Sequence, residues 1–240
     1  MANLATDFSF TNGNDLAVDL EDGLSLDPEL QVNTLNGDDI IRGQSGSIGI
    51  LIGDKSTLNT NNGNDTILGD GDYTGIFLIG NINTGNGNDT IIGKGGSFGL
   101  FIVGDINTGN GNDIVIGRSE YFGIVTGKIS TGKGNDIVIG EGRDVFSGFA
   151  SADSIDLGKG NDLLQGFGGA NVDGGQGFDR AKFDFNSSEL DGVVKLGSSD
   201  NTVELIHTYA KMTLTNFELF EFNDRTYSFD KLVTEFSDLV

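Results

Sequence analysis

Apolar residues recur along the chain in columns that repeat about every 24 residues. One column stands two residues after a repeated aspartate, where strand alternation turns its side chains towards the interior. Its members are Ala17, Ile41, Ile67, Ile91, Val115, Val138, Leu164 and Ala181. A second apolar group lies midway between the aspartates, and a third lies just before the next loop, at Leu58, Ile82, Ile106, Ile129 and Ile155. This pattern predicts three short strands in each repeat.

A repeat of this length predicts a stacked fold, because one repeat cannot bury its apolar face alone. We expect an all-β protein, a parallel β-roll or β-helix solenoid with rungs of about 24 residues. Solenoids need closed ends, so we expect an N-terminal cap over 1–30, the repeat solenoid over 31–182 and a C-terminal cap over 183–240. Alternation in segments such as 217–222 predicts antiparallel strands in that last region.

Each repeat contains a glycine-rich loop that ends in an aspartate, and Thr84-Gly85-Asn86-Gly87-Asn88-Asp89 is one of the sharpest copies. Glycine supplies the positive φ of tight turns and allows main-chain carbonyls to point into a loop. The aspartates follow one another at steps of 24, 26, 24, 24, 23, 26 and 17 residues. They are Asp15, Asp39, Asp65, Asp89, Asp113, Asp136, Asp162 and Asp179. The loop glycines that we place beside them are Gly37, Gly63, Gly85, Gly87, Gly109, Gly111, Gly132, Gly134, Gly158 and Gly160.

Stacking turns these aspartates into a row of like charges, about 4.7–4.9 Å apart from rung to rung. Such a pair repels by roughly 1 kcal/mol in water and by several times more at a lower dielectric constant. A hard divalent cation between two loops relieves that repulsion and accepts carboxylate and carbonyl oxygens, as calcium prefers. A turn ladder without metal is the alternative, but neutral Asn would serve such a turn equally well. We therefore predict that the aspartates are side-chain ligands of several Ca²⁺ ions.

The net charge of −22 also favours a cation as the partner. A disordered acidic chain would not carry apolar residues in register with its glycines, and nucleic acid requires clustered cations, so we expect no nucleic-acid partner. The chain has no cysteine and one histidine, His207, which excludes thiolate sites and imidazole zinc clusters. No stretch is apolar enough to span a membrane, and the N-terminus has no pattern of a cleavable signal.

The loops resemble the calcium-binding nonapeptide G-G-x-G-x-D-x-U-x of RTX (repeats-in-toxin) proteins, also called hemolysin-type repeats. Segment 174–179, Gly-Gly-Gln-Gly-Phe-Asp, is the fullest copy, and the resemblance covers residues 12 to 185. It implies a chain that folds on binding calcium after export. RTX β-rolls usually place two loops in each rung, whereas here the opposite edge is degenerate, with partial loops at 69–72 and 140–145. We therefore expect one regular row of ions.

The C-terminal region is also similar to the RTX family. Segment 215–224 resembles the strand that commonly follows the last repeats, and segment 236–240 resembles an uncleaved type I secretion signal, an acid followed by apolar residues. The resemblance implies a secreted protein that is extracellular or at a cell surface, with a structural or adhesive role. A cell-surface polysaccharide or another protein is the expected partner besides calcium.

Two other functional classes are weaker. The esterase pattern G-x-S-x-G occurs around Ser97, but that motif needs a strand-to-helix turn, and Ser97 stands in a repeat column with Ser47, Tyr73 and Tyr121. We expect no enzyme. The alternative is a calcium-dependent β-solenoid that binds ice or a carbohydrate surface through outward ranks of polar residues. Those ranks would be Asn62, Asn86 and Asn110, followed by Lys133 and Lys159.

Overall fold

The computed structural model describes residues 1–125, 127–144, 147–150, 154–197 and 201–236. It is an all-β solenoid of about seven turns, with rungs of about 24 residues. The strands of the first half are β1 (Ala2–Asn3), β2 (Leu16–Asp19), β3 (Leu24–Leu26), β4 (Gln31–Asn33), β5 (Ile40–Ser45), β6 (Ile48–Ile52), β7 (Thr57–Asn59), β8 (Thr66–Gly71), β9 (Thr74–Leu78), β10 (Asn81–Asn83), β11 (Thr90–Gly95), β12 (Phe98–Ile102) and β13 (Asp105–Asn107).

The second half continues the solenoid and closes it. Its strands are β14 (Ile114–Ser119), β15 (Phe122–Val125), β16 (Lys128–Ser130), β17 (Ile137–Glu141), β18 (Phe149–Ala150), β19 (Ser154–Asp156), β20 (Leu163–Gln165), β21 (Ala170–Asp173), β22 (Arg180–Lys182), β23 (Gly192–Leu196), β24 (Thr202–His207), β25 (Ala210–Thr215), β26 (Leu219–Glu221) and β27 (Thr226–Ser228). A 3₁₀ helix covers Ser187–Glu189, and one α-helix, α1, covers Phe229–Phe236.

Three sheets form the walls of the solenoid. Sheet 1 contains the strands that follow the glycine-rich loops, in the order β2-β5-β8-β11-β14-β17-β20-β22-β26-β27. Sheet 2 has the order β1-β3-β6-β9-β12-β15-β18, and sheet 3 has the order β23-β24-β25-β21-β19-β16-β13-β10-β7-β4. Strands of successive turns pair in parallel and in register. The prediction of a parallel solenoid with three strands in each rung is therefore confirmed.

The core lies between the sheets and repeats from turn to turn. In sheet 1, Ile67 pairs with Ile91 and Ile91 with Val115, and all three side chains are buried. Equivalent columns run through Ile76 in sheet 2 and Ile82 in sheet 3. Each turn buries its apolar residues against its two neighbours, which is why the pattern is visible as a period in the sequence.

Sheets 1 and 2 meet at a narrow corner where glycine faces glycine. A Cβ atom on Gly69 would lie 2.2 Å from the carbonyl oxygen of Gly75, and a Cβ on Gly93 would lie 2.2 Å from that of Gly99. No real side chain tolerates such a distance. The glycines in these strands therefore permit main-chain contact between the two sheets.

The C-terminal region closes the last turn with antiparallel strands, as predicted. β23, β24 and β25 form an antiparallel meander, and β25 pairs in parallel with β21. β26 continues sheet 1 beside β22, and β27 turns back on it before α1 begins. The rings of Phe167, Phe183, Phe185 and Phe222 pack together beneath this cap. They replace the aliphatic columns of the repeats.

At the N-terminal end, within segment 1–30, which we expected to be a cap, β2 and β3 pair in parallel with β5 and β6. Of the segment compared with a secretion signal, residues 237–240 lie outside the described part of the chain, and so does Val145 at the end of a partial second loop. Among the described residues, no helix is long and apolar enough to cross a membrane.

Candidate metal centre

The glycine-rich loops connect sheet 3 of one turn to sheet 1 of the next. Glycines with positive φ form each loop; in the loop that ends at Asp113, Gly109 has φ 96° and Gly111 has φ 133°. All ten loop glycines predicted from the sequence have positive φ. The loops that end at Asp39 and Asp65 carry Leu35 and Asn61 in place of the first glycine, and these residues also have positive φ, 76° and 69°. The backbone conformation is thus the same even where the residue type is unfavourable.

Successive loops stack so closely that the second glycine admits no side chain. A Cβ on Gly111 would lie 1.7 Å from the carbonyl oxygen of Gly87, and a Cβ on Gly87 would lie 1.7 Å from that of Gly63. These oxygens therefore point towards the next loop. In this column of stacked loops, each of these glycine oxygens faces the next turn, and the aspartate that ends each loop bonds to the turn before.

The aspartates form a buried ladder inside that column. Seven of them, Asp39 to Asp179, are at most 1% exposed. The Oδ1 atom of each one accepts a hydrogen bond from the main-chain N–H of the aspartate one turn earlier. The Asp89 N–H donates to Asp113 at 2.8 Å, and the Asp113 N–H donates to Asp136 at 2.8 Å. The same bond recurs from Asp15 to Asp39, Asp39 to Asp65, Asp65 to Asp89, Asp136 to Asp162 and Asp162 to Asp179.

The second carboxylate oxygen, Oδ2, has no hydrogen-bond partner in any of these seven residues. A buried and unsatisfied acceptor costs roughly 1–3 kcal/mol, and more when it is charged. The seven atoms belong to Asp39, Asp65, Asp89, Asp113, Asp136, Asp162 and Asp179. Asp15 differs, because it is half-buried and its carboxylate accepts both the N–H and the hydroxyl of Thr11. An Oδ2 atom without a partner thus occurs in every aspartate of the predicted row except the first, Asp15.

Burial raises the pKa of six of the carboxyl groups in the ladder, those of Asp65, Asp89, Asp113, Asp136, Asp162 and Asp179. It raises the pKa of Asp162 to about 7 and the pKa values of Asp89, Asp136 and Asp179 to about 6. The pKa of Asp113 is also raised by burial. Neighbouring aspartates add to the shift at Asp162, where Asp136 and Asp179 both disfavour the charged form. A row of ionised aspartates is therefore unfavourable in the metal-free fold.

A column of buried threonines accompanies the aspartates and was not recognised in the sequence. Each hydroxyl donates to a main-chain carbonyl of the next loop, at 2.8 Å from Thr131 to Leu157 and at 3.2 Å from Thr108 to Thr131. The neighbouring Thr108 side chain also lowers the pKa of Asp113 against the effect of burial. The signal was a threonine five residues before the aspartate, at Thr34, Thr60, Thr84, Thr108 and Thr131. Leu157 and Gly174 stand at this position in the last two loops.

The donor atoms fit a hard cation. Each of the seven loops that end at Asp39 to Asp179 offers one buried carboxylate oxygen without a partner. The loops also contain main-chain carbonyls, and five of them contain a buried threonine hydroxyl. Oxygen ligands of this kind suit calcium. Within the described ranges, no group of three or more His, Asp or Glu side chains lies close enough to hold a metal ion. Any ion in this column would therefore need main-chain oxygens besides one or two carboxylates.

The opposite edge, between sheets 1 and 2, carries pairs of opposite charges. Asp70, Lys94, Arg118 and Glu141 occupy the same position in successive strands. Lys94 lies 3.5 Å from Asp70, and Arg118 lies 2.9 Å from Glu141. Each carboxylate thus has a cationic neighbour, which distinguishes this edge from the aspartate ladder.

The outward asparagines of the loops bond to one another. The side-chain N–H₂ of Asn86 donates to Asn62 at 2.7 Å, and that of Asn110 donates to Asn86 at 2.7 Å. These amides satisfy each other along the stack, as in other asparagine ladders. They are the residues that the surface-binding alternative would use, and here they contribute to stacking of the loops.

Ser97 lies in the turn between strands β11 and β12. A nucleophile elbow leads from a strand into a helix, so the G-x-S-x-G match does not have the local structure that its function requires. His207 ends β24 in the C-terminal meander.

No protein-family model matches this chain, and no curated protein matches it in sequence. The structure alone shows that the fold is a β-solenoid. The resemblance to RTX repeats remains a prediction from the loop residues.

Proposed function

We propose that this chain is an RTX-type calcium-binding repeat protein, in which Ca²⁺ ions in a row between stacked loops stabilise the solenoid. One observation carries the proposal: seven buried aspartates each have an Oδ2 atom without a partner, in consecutive turns of one column. Calcium, when bound there, supplies the positive charge that the ladder needs. The loops contribute the oxygen atoms.

A bound cation stabilises the buried carboxylates better than protonation does. At neutral pH the buried carboxylates either take up protons, as their raised pKa values allow, or ionise at a cost. A divalent cation removes both the unpaired acceptor and the repulsion between neighbouring turns. The column exists only when the turns are stacked, so binding and folding form one equilibrium. The metal-free chain should therefore be much less stable than the calcium-bound chain.

This coupling suits a protein that works outside the cell. Such a chain stays unfolded where calcium is scarce and folds where calcium is millimolar. We propose a structural or adhesive role at a cell surface, in which the stiff solenoid is the functional element. Calcium-dependent stability, without chemical turnover, is the property that this role requires.

The proposal is tested by far-UV circular dichroism of the full chain during a calcium titration that starts in chelator. We expect the β-sheet signal to appear with calcium and to disappear when chelator is added again. Magnesium at the same concentration is the control, and it should be less effective, because it demands near-ideal octahedral geometry. A chain with the same spectrum and melting temperature in excess chelator and in calcium would contradict the proposal.

A further inference from the structure

The aspartate ladder has a C-terminal end, and a residue from outside the glycine repeats occupies it. The main-chain N–H of Asp179 donates to Oε2 of Glu218 at 2.7 Å. In every earlier turn the corresponding acceptor is Oδ1 of the next aspartate. Glu218 therefore takes the place of a ninth aspartate.

The strand register supports this equivalence. Leu219 pairs with Arg180, which pairs with Leu163, and these three residues directly follow Glu218, Asp179 and Asp162. The N–H groups of Glu218 and Leu219 donate to the carbonyl of Asp179 at 3.0 and 3.2 Å. The main chain at Glu218 is thus stacked on the main chain at Asp179. It is the next position in the same column.

The loop itself is shorter at this end. Thr215 pairs with Asp173 at the end of sheet 3, so Asn216, Phe217 and Glu218 span a distance that six residues, 174–179, span in the turn before. Asn216 has φ 57°, in the left-handed region where the loop glycines also lie. Its amide donates to Asp173 at 2.8 Å. The extra methylene of glutamate compensates for the missing residues and brings its carboxylate back to Asp179.

Two carboxylates, those of Asp179 and Glu218, therefore lie together at the end of the ladder. Asp179 is fully buried, and its Oδ2 atom has no partner. Glu218 is half-buried, so part of this residue is accessible to solvent. Asp173 also lies close enough to disfavour the charged form of Asp179. The charge of Glu218 strengthens its hydrogen bond to the Asp179 N–H, but it also repels the buried carboxylate of Asp179, and a cation between the two would remove that repulsion.

We propose that Asp179 and Glu218 form a terminal calcium site, so that the row of ions extends one position beyond the glycine repeats and ends at Glu218. This inference rests on the proposed function and adds a ligand that the repeat motif does not contain. Glu218 both accepts the last N–H of the ladder and contributes a charged oxygen to the last ion.

The test compares Glu218→Gln with Glu218→Asp in the full chain. Glutamine keeps the length of the side chain and a carbonyl acceptor for the Asp179 N–H but removes the charge. Aspartate keeps the charge but shortens the side chain. Glu221→Gln is the matched control, because Glu221 lies in the adjoining strand β26, is half-buried like Glu218 and forms an ion pair with Arg180 at 3.2 Å.

Calcium chloride is the only ligand, and the number of ions bound to each chain is measured by equilibrium dialysis. We expect Glu218→Gln to bind one ion fewer than wild type, Glu221→Gln to bind the same number as wild type, and Glu218→Asp to keep the ion with weaker affinity. Equal stoichiometry and affinity for Glu218→Gln and wild type would overturn the terminal site alone. A wild-type chain that binds no calcium would overturn the proposed function as well.

A second measurement covers variants that fold poorly. The increase in melting temperature on adding calcium should be larger for Glu218→Asp than for Glu218→Gln, because the site needs the charge. An equal or larger increase for Glu218→Gln would show that Glu218 is only a hydrogen-bond acceptor, and would overturn the proposal.

Discussion

Asp136→Asn should have opposite effects on the metal-free and the calcium-bound protein. The pKa of Asp136 rises from 3.8 to about 6 on burial, which corresponds to roughly 3 kcal/mol against the charged form at neutral pH. Asparagine removes that cost and keeps an oxygen for the N–H of Asp113, which donates at 2.8 Å. Its N–H₂ group replaces the unpartnered Oδ2 and costs roughly 1–2 kcal/mol in return. The metal-free fold should therefore gain about 1 kcal/mol or more.

In calcium the order should reverse, because the variant lacks one of the carboxylates between which the ions are proposed to lie. The assay is urea unfolding followed by circular dichroism, once in chelator and once in millimolar calcium. If the metal-free chain is unfolded, an osmolyte such as trimethylamine oxide restores the folded state for comparison. Asp156→Asn is the control, because Asp156 is an exposed carboxylate in strand β19 of the next turn, and this substitution should change neither value. A variant that is less stable than wild type in chelator, or equally stabilised by calcium, would refute the reasoning.

Three further predictions concern the same column of stacked loops. Asp89, Asp136 and Asp179 have pKa values of about 6, and Asp162 has a pKa of about 7, above the unfolded value of 3.8, so the fold binds extra protons between these values. The metal-free protein should therefore be more stable at pH 5 than at pH 7.5, by roughly 1 kcal/mol for each site that titrates near 6, and chemical unfolding at both pH values measures this. Gly111→Ala places a Cβ 1.7 Å from a carbonyl oxygen and should lower the free energy of unfolding by roughly 3 kcal/mol or more. In the control, Gly46→Ala, the new Cβ lies 3.7 Å from its nearest neighbour, and the loss should be less than about 0.5 kcal/mol. The same melting curve for both variants would be inconsistent with close stacking. Leu35→Gly removes a leucine at φ 76° and should raise the stability of the calcium-bound chain by roughly 0.5–1 kcal/mol. Thermal melts that show no gain would contradict this prediction.

The fold could be predicted because every turn has the same pattern of buried apolar residues and the same type of loop. Ile91 and Val115 face the core in adjacent turns, and the aspartate two residues before each one ends the same type of loop. A period in the sequence therefore corresponds directly to the stacking of turns. The positive φ values of glycines such as Gly87 and Gly111 follow from the same repetition.

The features that sequence reasoning missed are those that depend on contacts between turns. The sequence shows a column of aspartates, but only the structure shows that Oδ1 is used by the preceding turn and Oδ2 is left without a partner. The hydroxyl of Thr131 reaches across to Leu157 in the next turn, and nothing in one loop indicates that bond. Glu218 lies in a shortened loop of different composition, where the period that reveals the other sites has ended.

The most direct test of the central claim is a crystal of the full chain grown in millimolar calcium, with anomalous diffraction recorded at long wavelength. The account predicts a line of anomalous peaks inside the loop column, each beside the Oδ2 atoms that lack a partner in Asp39 to Asp179. Density that shows these carboxylates without ions, either protonated or turned out to solvent, would contradict it.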